Sequence, residues 1–155
     1  MGIGAEQVGE RLLIMEKEPT ATIVALPRSE ALIAHAAAAI HAVSIAEQKL
    51  VSMRAAAVAG FDAIIDDKRL TVSILLQIYD RYDFSGREKI HVGFSIEEMK
   101  MLHECRKRLE AMKQTRLDRI QTITLALMRM SRPEFGQNAA VDVRKLPVLD
   151  SRLRE

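Results

Sequence analysis

The sequence predicts an all-α protein: an elongated long-helix hairpin or helical bundle with coiled-coil-like packing, completed by oligomerisation. Apolar residues recur at alternating spacings of three and four over residues 29–57 and again over 95–132, which is the heptad pattern of packed helices. With 48% hydrophobic and 28% charged residues, 7 Gly and 4 Pro, the 155-residue chain is neither disordered throughout nor collagen-like. We expect an N-terminal segment over 1–28, a helical core over 29–132 and a tail over 133–155.

The N-terminal segment has mixed character. Residues 7–17 are long enough for two or three helical turns. Thr20 to Leu26 form a short β-prone run that Pro27 closes. This segment is therefore predicted as a short helix or an extended stretch.

The first long helix is predicted to begin near Ser29, a favourable N-cap residue after Pro27. Its apolar stripe, the first seam, holds mostly small residues: Leu32, Ala36, Ala39, Val43, Ala46, Leu50, Met53 and Ala57. Ile33, Ala37 and Ile40 make the helix apolar on a second side, as in helices that lie inside a bundle or are shared between subunits. We therefore predict an oligomer interface formed by Leu32, Ala36, Ala39, Val43, Ala46 and Leu50.

The region from Gly60 to Phe94 is less regular. Gly60 either ends the first helix or weakens it, and helical spacing then continues from Phe61 to Tyr82. Residues 71–76 have enough β-branched character for a strand, but the regular spacing favours a helix. Residues 84–94 are predicted as a loop, in which 89–92 form a brief extended segment.

The best-specified boundary is the capping box formed by Ser95 and Glu98. Phe94 and Met99 occupy the flanking positions of a hydrophobic staple. A second apolar seam runs from here to Pro133, which predicts about 36 helical residues in a rod of about 54 Å. Two such rods favour a hairpin that a second subunit completes.

Arg116 lies in the middle of the second seam, where an apolar residue is expected. A buried Arg needs an acidic partner, so we predict a register or partner role for Arg116, paired with Glu47, Asp66 or Asp67. The alternative is a local shift of the seam that turns Leu117 inward and leaves Arg116 exposed.

No residue pattern predicts catalysis, a cofactor or a metal site. His35 and His41 lie about 240° apart around a helix, so they cannot share a ligand locally. Glu88 and His91 match the Glu-x-x-His spacing of di-iron bundles, but the paired copy that those sites need does not occur. Cys105 falls on the second seam, which favours a structural thiol over a nucleophile. We therefore predict that the protein is not an enzyme.

Basic residues concentrate in the predicted second helix. From Lys100 to Arg132 there are nine Lys or Arg and three acids, whereas the formal net charge of the chain is only +2. A solvated helix face is the simpler interpretation, because the charges surround the helix; phosphate binding and an acidic protein partner are the alternatives. The candidate nucleic-acid contacts are Arg106, Lys107, Arg108, Lys113, Arg119, Arg129 and Arg132, with Arg144, Lys145, Arg152 and Arg154 in the tail.

These patterns predict a non-enzymatic cytoplasmic interaction, adaptor or regulatory protein that acts by helix–helix recognition of a protein partner. The alternative is a nucleic-acid-binding regulator that uses the basic helix 100–132 and the basic tail. One cysteine agrees with a reducing compartment, and four acidic residues among the first 18 do not suit a secretory signal. The longest uncharged run, residues 31–46, falls short of the about 20 residues of a spanning helix, so no membrane is predicted.

Overall fold

The computed structural model of the protein describes residues 22–67 and 71–132. Over these residues the chain forms five helices and a two-stranded antiparallel sheet. The elements in chain order are β1 (Thr22–Pro27), α1 (Glu30–Glu47), α2 (Met53–Asp66), α3 (Thr71–Tyr79), β2 (Lys89–Phe94), α4 (Ile96–Lys113) and α5 (Arg119–Ser131). The predicted all-α long-helix hairpin with coiled-coil-like packing is therefore wrong: the fold is mixed α and β, and both predicted long helices are interrupted.

The sheet joins two runs that lie far apart in the sequence. β1 and β2 pair in an antiparallel register in which Val24 faces Val92 and Thr22 faces Phe94. Val24, Val92 and Phe94 are buried, whereas Ile23 on the alternate face is exposed. One face of the sheet therefore packs on the helices, as the two-residue period of a strand requires. The sequence indicated both β-prone runs but not their pairing.

The first predicted helix breaks after α1. Gln48 caps α1 in the left-handed conformation, with a φ of 59°, and the Ser52 hydroxyl accepts a hydrogen bond from the Ala55 amide to begin α2. The Ser44 hydroxyl accepts a further hydrogen bond from the Val51 amide across the break, at 3.1 Å. The first seam is therefore split, and Leu50, one of its members, is 94% exposed.

The second predicted helix breaks between α4 and α5. Gln114 takes the left-handed conformation, with a φ of 61°, and the Glu110 carboxylate accepts a hydrogen bond from the Leu117 amide at 2.7 Å. Asp118 and Gln121 then form a reciprocal capping box that begins α5. The expected rod is thus replaced by helices of 18 and 13 residues that fold against each other.

The core is organised around α5. This helix contacts all four other helices and β1. Residues 122–128 are buried without interruption, so α5 is covered on every side. The hydroxyls of Thr122 and Thr124 donate to the carbonyls of Asp118 and Ile120, which satisfies these buried polar groups within the helix.

Other local predictions are confirmed. Ser29 caps α1 by accepting from the Leu32 amide, and residues 71–79 form a helix rather than a strand. The Ser95–Glu98 capping box is present in both directions, with distances of 2.9 and 3.2 Å. The segments 1–21, 68–70 and 133–155 lie outside the described residues, and with them lie the predicted tail and most of the predicted N-terminal segment.

Among the described residues, α1 is the one helix long and apolar enough to cross a membrane, with 18 residues and a mean hydropathy of 1.2. Seven of its residues are buried inside the protein. The core helix of a folded domain meets the same criteria of length and composition.

Candidate functional site

His35 and Cys105 take structural positions in the core, whereas His41 and His91 are exposed. His35 is fully buried, and its Nδ1–H donates to the Ala31 carbonyl at 2.9 Å. The His35 ring meets the Tyr82 ring edge to face, with ring centres 4.9 Å apart. Cys105 is buried, and burial raises the pKa of its thiol to about 12. No group of three or more metal-ligating side chains is found within residues 22–67 and 71–132.

The six residues of the predicted oligomer interface divide into two groups. Within a single chain Leu32, Ala36, Ala39 and Val43 are buried on the side of α1 that packs in the core, whereas Ala46 and Leu50 are exposed. The outward side of α1 carries other apolar residues, among them Ile33 and Ile45. Self-association stays a prediction. Among the described residues, it would depend on this outward side of α1.

Arg116 is not part of the core. It is exposed in the loop between α4 and α5, and the neighbouring Leu117 is buried instead. Arg116 therefore does not occupy the expected seam position, and the alternative, with Leu117 turned inward, is observed. The reason is that the left-handed turn at Gln114 changes the direction of the chain. Glu47 and Asp66, two of its three predicted partners, are exposed as well, and Asp67 faces Arg129.

The predicted nucleic-acid contacts are also divided by the fold. Lys107, Lys113 and Arg119 are exposed, and Arg106 and Arg108 are half-buried. Arg129 and Arg132 belong to the interior instead. The Nε of Arg129 lies 3.9 Å from the Asp67 carboxylate, and burial lowers the pKa of Arg129 although Asp67 opposes that shift.

Four basic side chains nevertheless form one group, the basic patch: His103, Arg106, Lys107 and Arg119. The pKa of His103 lies below its usual value, first because of burial and then because of the positive charges of Arg106, Arg119 and Lys107. The turn at Gln114 brings the start of α5 back beside α4, which places Arg119 near the other three. A continuous helix would have kept them apart.

A groove follows the outward stripe of α2. It has a volume of about 680 Å³, and α2 lines it with Arg54, Ala55, Val58, Ala59, Asp62 and Ala63. Met101 of α4, Met130 of α5 and Glu47 of α1 complete its walls with Glu98. The stripe from Ala55 to Ala63 extends along about two turns of helix. We call this surface the α2 groove.

A second cavity of about 300 Å³ continues from the α2 groove. The two share Glu47, Ala59 and Met130, and the second reaches Ala42 and Arg129. Small alanine side chains keep both cavities open, while the unbranched methionine side chains can adapt to different shapes. The combined surface is concave, predominantly apolar and rimmed by charge, which are the properties of a docking site for an amphipathic segment.

The charges around the α2 groove do not balance. The guanidinium group of Arg54 lies 3.4 Å from the Glu98 carboxylate, which also accepts a hydrogen bond from the Ser95 amide. This ion pair therefore belongs to the capped start of α4. Within the described residues no Lys or Arg lies within ion-pair distance of Glu47 or Asp62. The α2 groove therefore carries two carboxylates beside its apolar floor that no described Lys or Arg compensates.

Sequence reasoning did not find the α2 groove. Sequence patterns alone predict no site at Ala59, Asp62, Met101 or Met130. The α2 groove depends on four helices meeting, so no local pattern indicates it. The spacing of Ala55, Ala59 and Ala63, each four residues apart, is the one local signal.

Comparison with known proteins finds no match to a protein-family model, to a curated protein sequence or to a solved structure. Function is therefore inferred from the α2 groove and the basic patch.

Proposed function

We propose that the protein is a non-enzymatic interaction protein of the cytoplasm, an adaptor or regulator that binds an amphipathic helix of a partner protein in the α2 groove. The observation that supports this proposal is an apolar concave surface about two helical turns long that the chain does not fill with its own described residues. A helix presents apolar side chains at positions i, i+3, i+4 and i+7, which match a cleft of this length.

The side chains at the α2 groove suit a docking role better than a catalytic one. Ala55, Ala59 and Ala63 provide shape without functional groups, and Met101 and Met130 provide an adaptable apolar surface. The charged side chains lie at the rim, where they influence orientation and the choice of partner more than total affinity.

Methionine methyl groups offer a direct test. Met101 and Met130 line the α2 groove, whereas Met112, 40% exposed on α4, does not and serves as an internal control. The full-length protein with labelled methionine methyl groups is titrated by NMR with a synthetic amphipathic helix of Leu and Gln. We expect the Met101 and Met130 resonances to move and that of Met112 to stay.

A matched pair of variants completes this test. Ala59→Trp fills the floor of the α2 groove and should abolish the methyl shifts, whereas Ala37→Trp adds the same side chain to the exposed side of α1 and should leave them. If Met101 and Met130 do not respond to the peptide at any concentration, the docking proposal is wrong.

The basic patch supports a second candidate function, nucleic-acid binding. His103, Arg106, Lys107 and Arg119 lie close enough for the three cations to influence the pKa of His103. Such a group can neutralise a few phosphates, and the affinity should then fall steeply with salt. The small number of aromatic residues, 4% of the chain, argues against stacking on single-stranded bases.

This second candidate is tested with a fluorescent DNA duplex at about 50 mM and 200 mM salt, a range over which phosphate contacts lose much of their affinity. Arg106→Gln with Lys107→Gln should weaken binding, whereas Lys49→Gln on the exposed turn after α1 should not. If the protein does not bind the duplex at the lower salt concentration, the nucleic-acid hypothesis is wrong.

A further inference from the structure

We infer that the helix received by the α2 groove is basic: its apolar side chains enter the groove, and its flanking Lys or Arg side chains approach Glu47 and Asp62. This inference rests on the proposed docking function and adds the chemical class of the partner. Charge complementarity around the α2 groove supports it.

The charged side chains around the α2 groove leave an excess of negative charge. Three carboxylates and two guanidinium groups line the α2 groove and its continuation. Arg54 is offset by Glu98, and Arg129 is offset by Asp67, which does not line either cavity. The two remaining groups, Glu47 and Asp62, are both carboxylates, so the groove presents a net negative rim.

Glu47 occupies an unfavourable position for an acidic side chain. It is the last residue of α1, and the last turn of α1 contains no basic residue. The carboxyl end of a helix carries a partial negative charge, so an acidic side chain there is unfavourable for the fold. A cation placed beside Glu47 would stabilise both the Glu47 carboxylate and the partial negative charge at the end of α1. Lys49 follows after the turn at Gln48, but it makes no ion pair with Glu47.

Asp62 is exposed on the outward stripe of α2 between Ala59 and Ala63. A helix lying in the α2 groove would pass directly beside this carboxylate. An acidic partner helix would bring like charges together, whereas a basic one would form ion pairs at the rim. Glu47 and Asp62 therefore select the charge of the partner, while the apolar floor supplies its contact area.

The experiment compares three peptides with the same leucine positions and with Lys, Gln or Glu at the flanking positions. Affinity for the full-length protein is measured by fluorescence anisotropy, and binding at Met101 and Met130 is confirmed by methyl shifts. We expect the Lys peptide to bind most tightly and the Glu peptide least, with the difference shrinking as salt is raised.

Variants test the two carboxylates. Glu47→Gln with Asp62→Asn should weaken the Lys peptide about fivefold, as expected for two exposed ion pairs, and leave the Gln peptide unchanged. Asp80→Asn with Glu104→Gln makes the same charge change at exposed positions that do not line the α2 groove, and should leave all three affinities unchanged.

The outcomes separate the inference from the proposed function. If the three peptides bind the α2 groove equally, docking stands and the basic partner is excluded. If none of them moves the Met101 and Met130 resonances, docking itself fails.

Two other occupants would also overturn the inference. If a second copy fills the α2 groove, the protein sediments as a dimer, and Ala59→Trp returns it to a monomer. If the basic tail of the chain fills it, neutralising Arg144, Lys145, Arg152 and Arg154 in the full-length protein strengthens binding of the Lys peptide.

Discussion

Gly60 of α2 lies directly against Ala126 of α5. A Cβ atom at position 60 would lie 2.8 Å from the Cβ of Ala126 and would overlap its carbonyl group. The absence of a side chain at Gly60 therefore sets how closely the two helices approach. Gly60 does not end α2, which continues to Asp66.

Gly60→Ala should destabilise the protein. Alanine is favoured over glycine in a helix by about 1 kcal/mol, but overpacking at a close contact costs about 1–3 kcal/mol, and here the clash is with backbone that cannot rotate away. We expect a lower midpoint of urea unfolding. Ala59→Gly, one residue earlier, should lose about 1 kcal/mol through helix propensity alone. A Gly60→Ala protein more stable than wild type would contradict the close contact.

Ser95→Ala should lower the free energy of unfolding by about 1 kcal/mol, since it removes the acceptor for the Glu98 amide. Glu98→Gln is the matched variant: its side-chain oxygen can still accept from the Ser95 amide, but the ion pair with Arg54 is lost. It should cost less than Ser95→Ala. Identical thermal unfolding curves for Ser95→Ala and wild type would show that the cap does not stabilise α4.

Ala39→Glu should prevent normal folding, because position 39 is 0% exposed and an unpaired buried charge costs several kcal/mol. Ala37→Glu places the same side chain on the exposed side of α1 and should change stability by less than about 0.5 kcal/mol. Circular dichroism during urea unfolding measures both. If copies associate through the outer side of α1, Ala37→Glu should also lower the sedimentation coefficient without lowering the unfolding midpoint.

Leu117→Ala should cost about 2–5 kcal/mol, the range for a buried leucine, whereas Arg116→Ala should cost less than about 0.5 kcal/mol. The reason is that Leu117, directly before the Asp118 cap of α5, is buried while Arg116 is exposed. The reverse order in denaturant unfolding would restore Arg116 to the core and would require an acidic partner for it.

Cys105 should be unreactive in the folded protein, because burial raises the pKa of its thiol to about 12 from the ordinary value of 9.0. The folded state holds this proton more tightly than the unfolded state. The associated stability is therefore fully present below pH 9.0 and is lost as the pH rises toward about 12. Iodoacetamide labelling at pH 8 should follow global unfolding in urea. Rapid labelling without urea would show that the thiol is accessible.

Local signals in the sequence predicted two of the helix beginnings correctly. Ser29 and Ser95 cap α1 and α4 as expected, because capping depends on residues that are close neighbours along the chain. The continuity of the helices was predicted wrongly. Gln48 and Gln114 end α1 and α4 in the left-handed conformation, which glycine usually adopts, so neither position resembled a helix end. The Asp118–Gln121 capping box was a usable signal, but the apolar seam passing through it concealed the break.

The remaining features depend on contacts between distant residues. Val24 pairs with Val92 across the sheet, and neither run alone indicates the other. The α2 groove requires the relative positions of four helices, and the basic patch requires the turn that returns Arg119 to α4. Residue composition and spacing could not provide these, because they describe one element at a time.

The central position of α5 affects how the chain acquires its structure during synthesis. A ribosome releases β1, α1, α2, α3 and α4 before α5, although all four helices pack on it. The apolar surface that each of these helices buries against α5 therefore remains in contact with water until residues 119–131 have emerged. Contacts between elements far apart in sequence also slow the search for the native state. The nascent chain consequently passes through an interval in which it is open to aggregation and to capture by chaperones, and that interval ends only when α5 arrives.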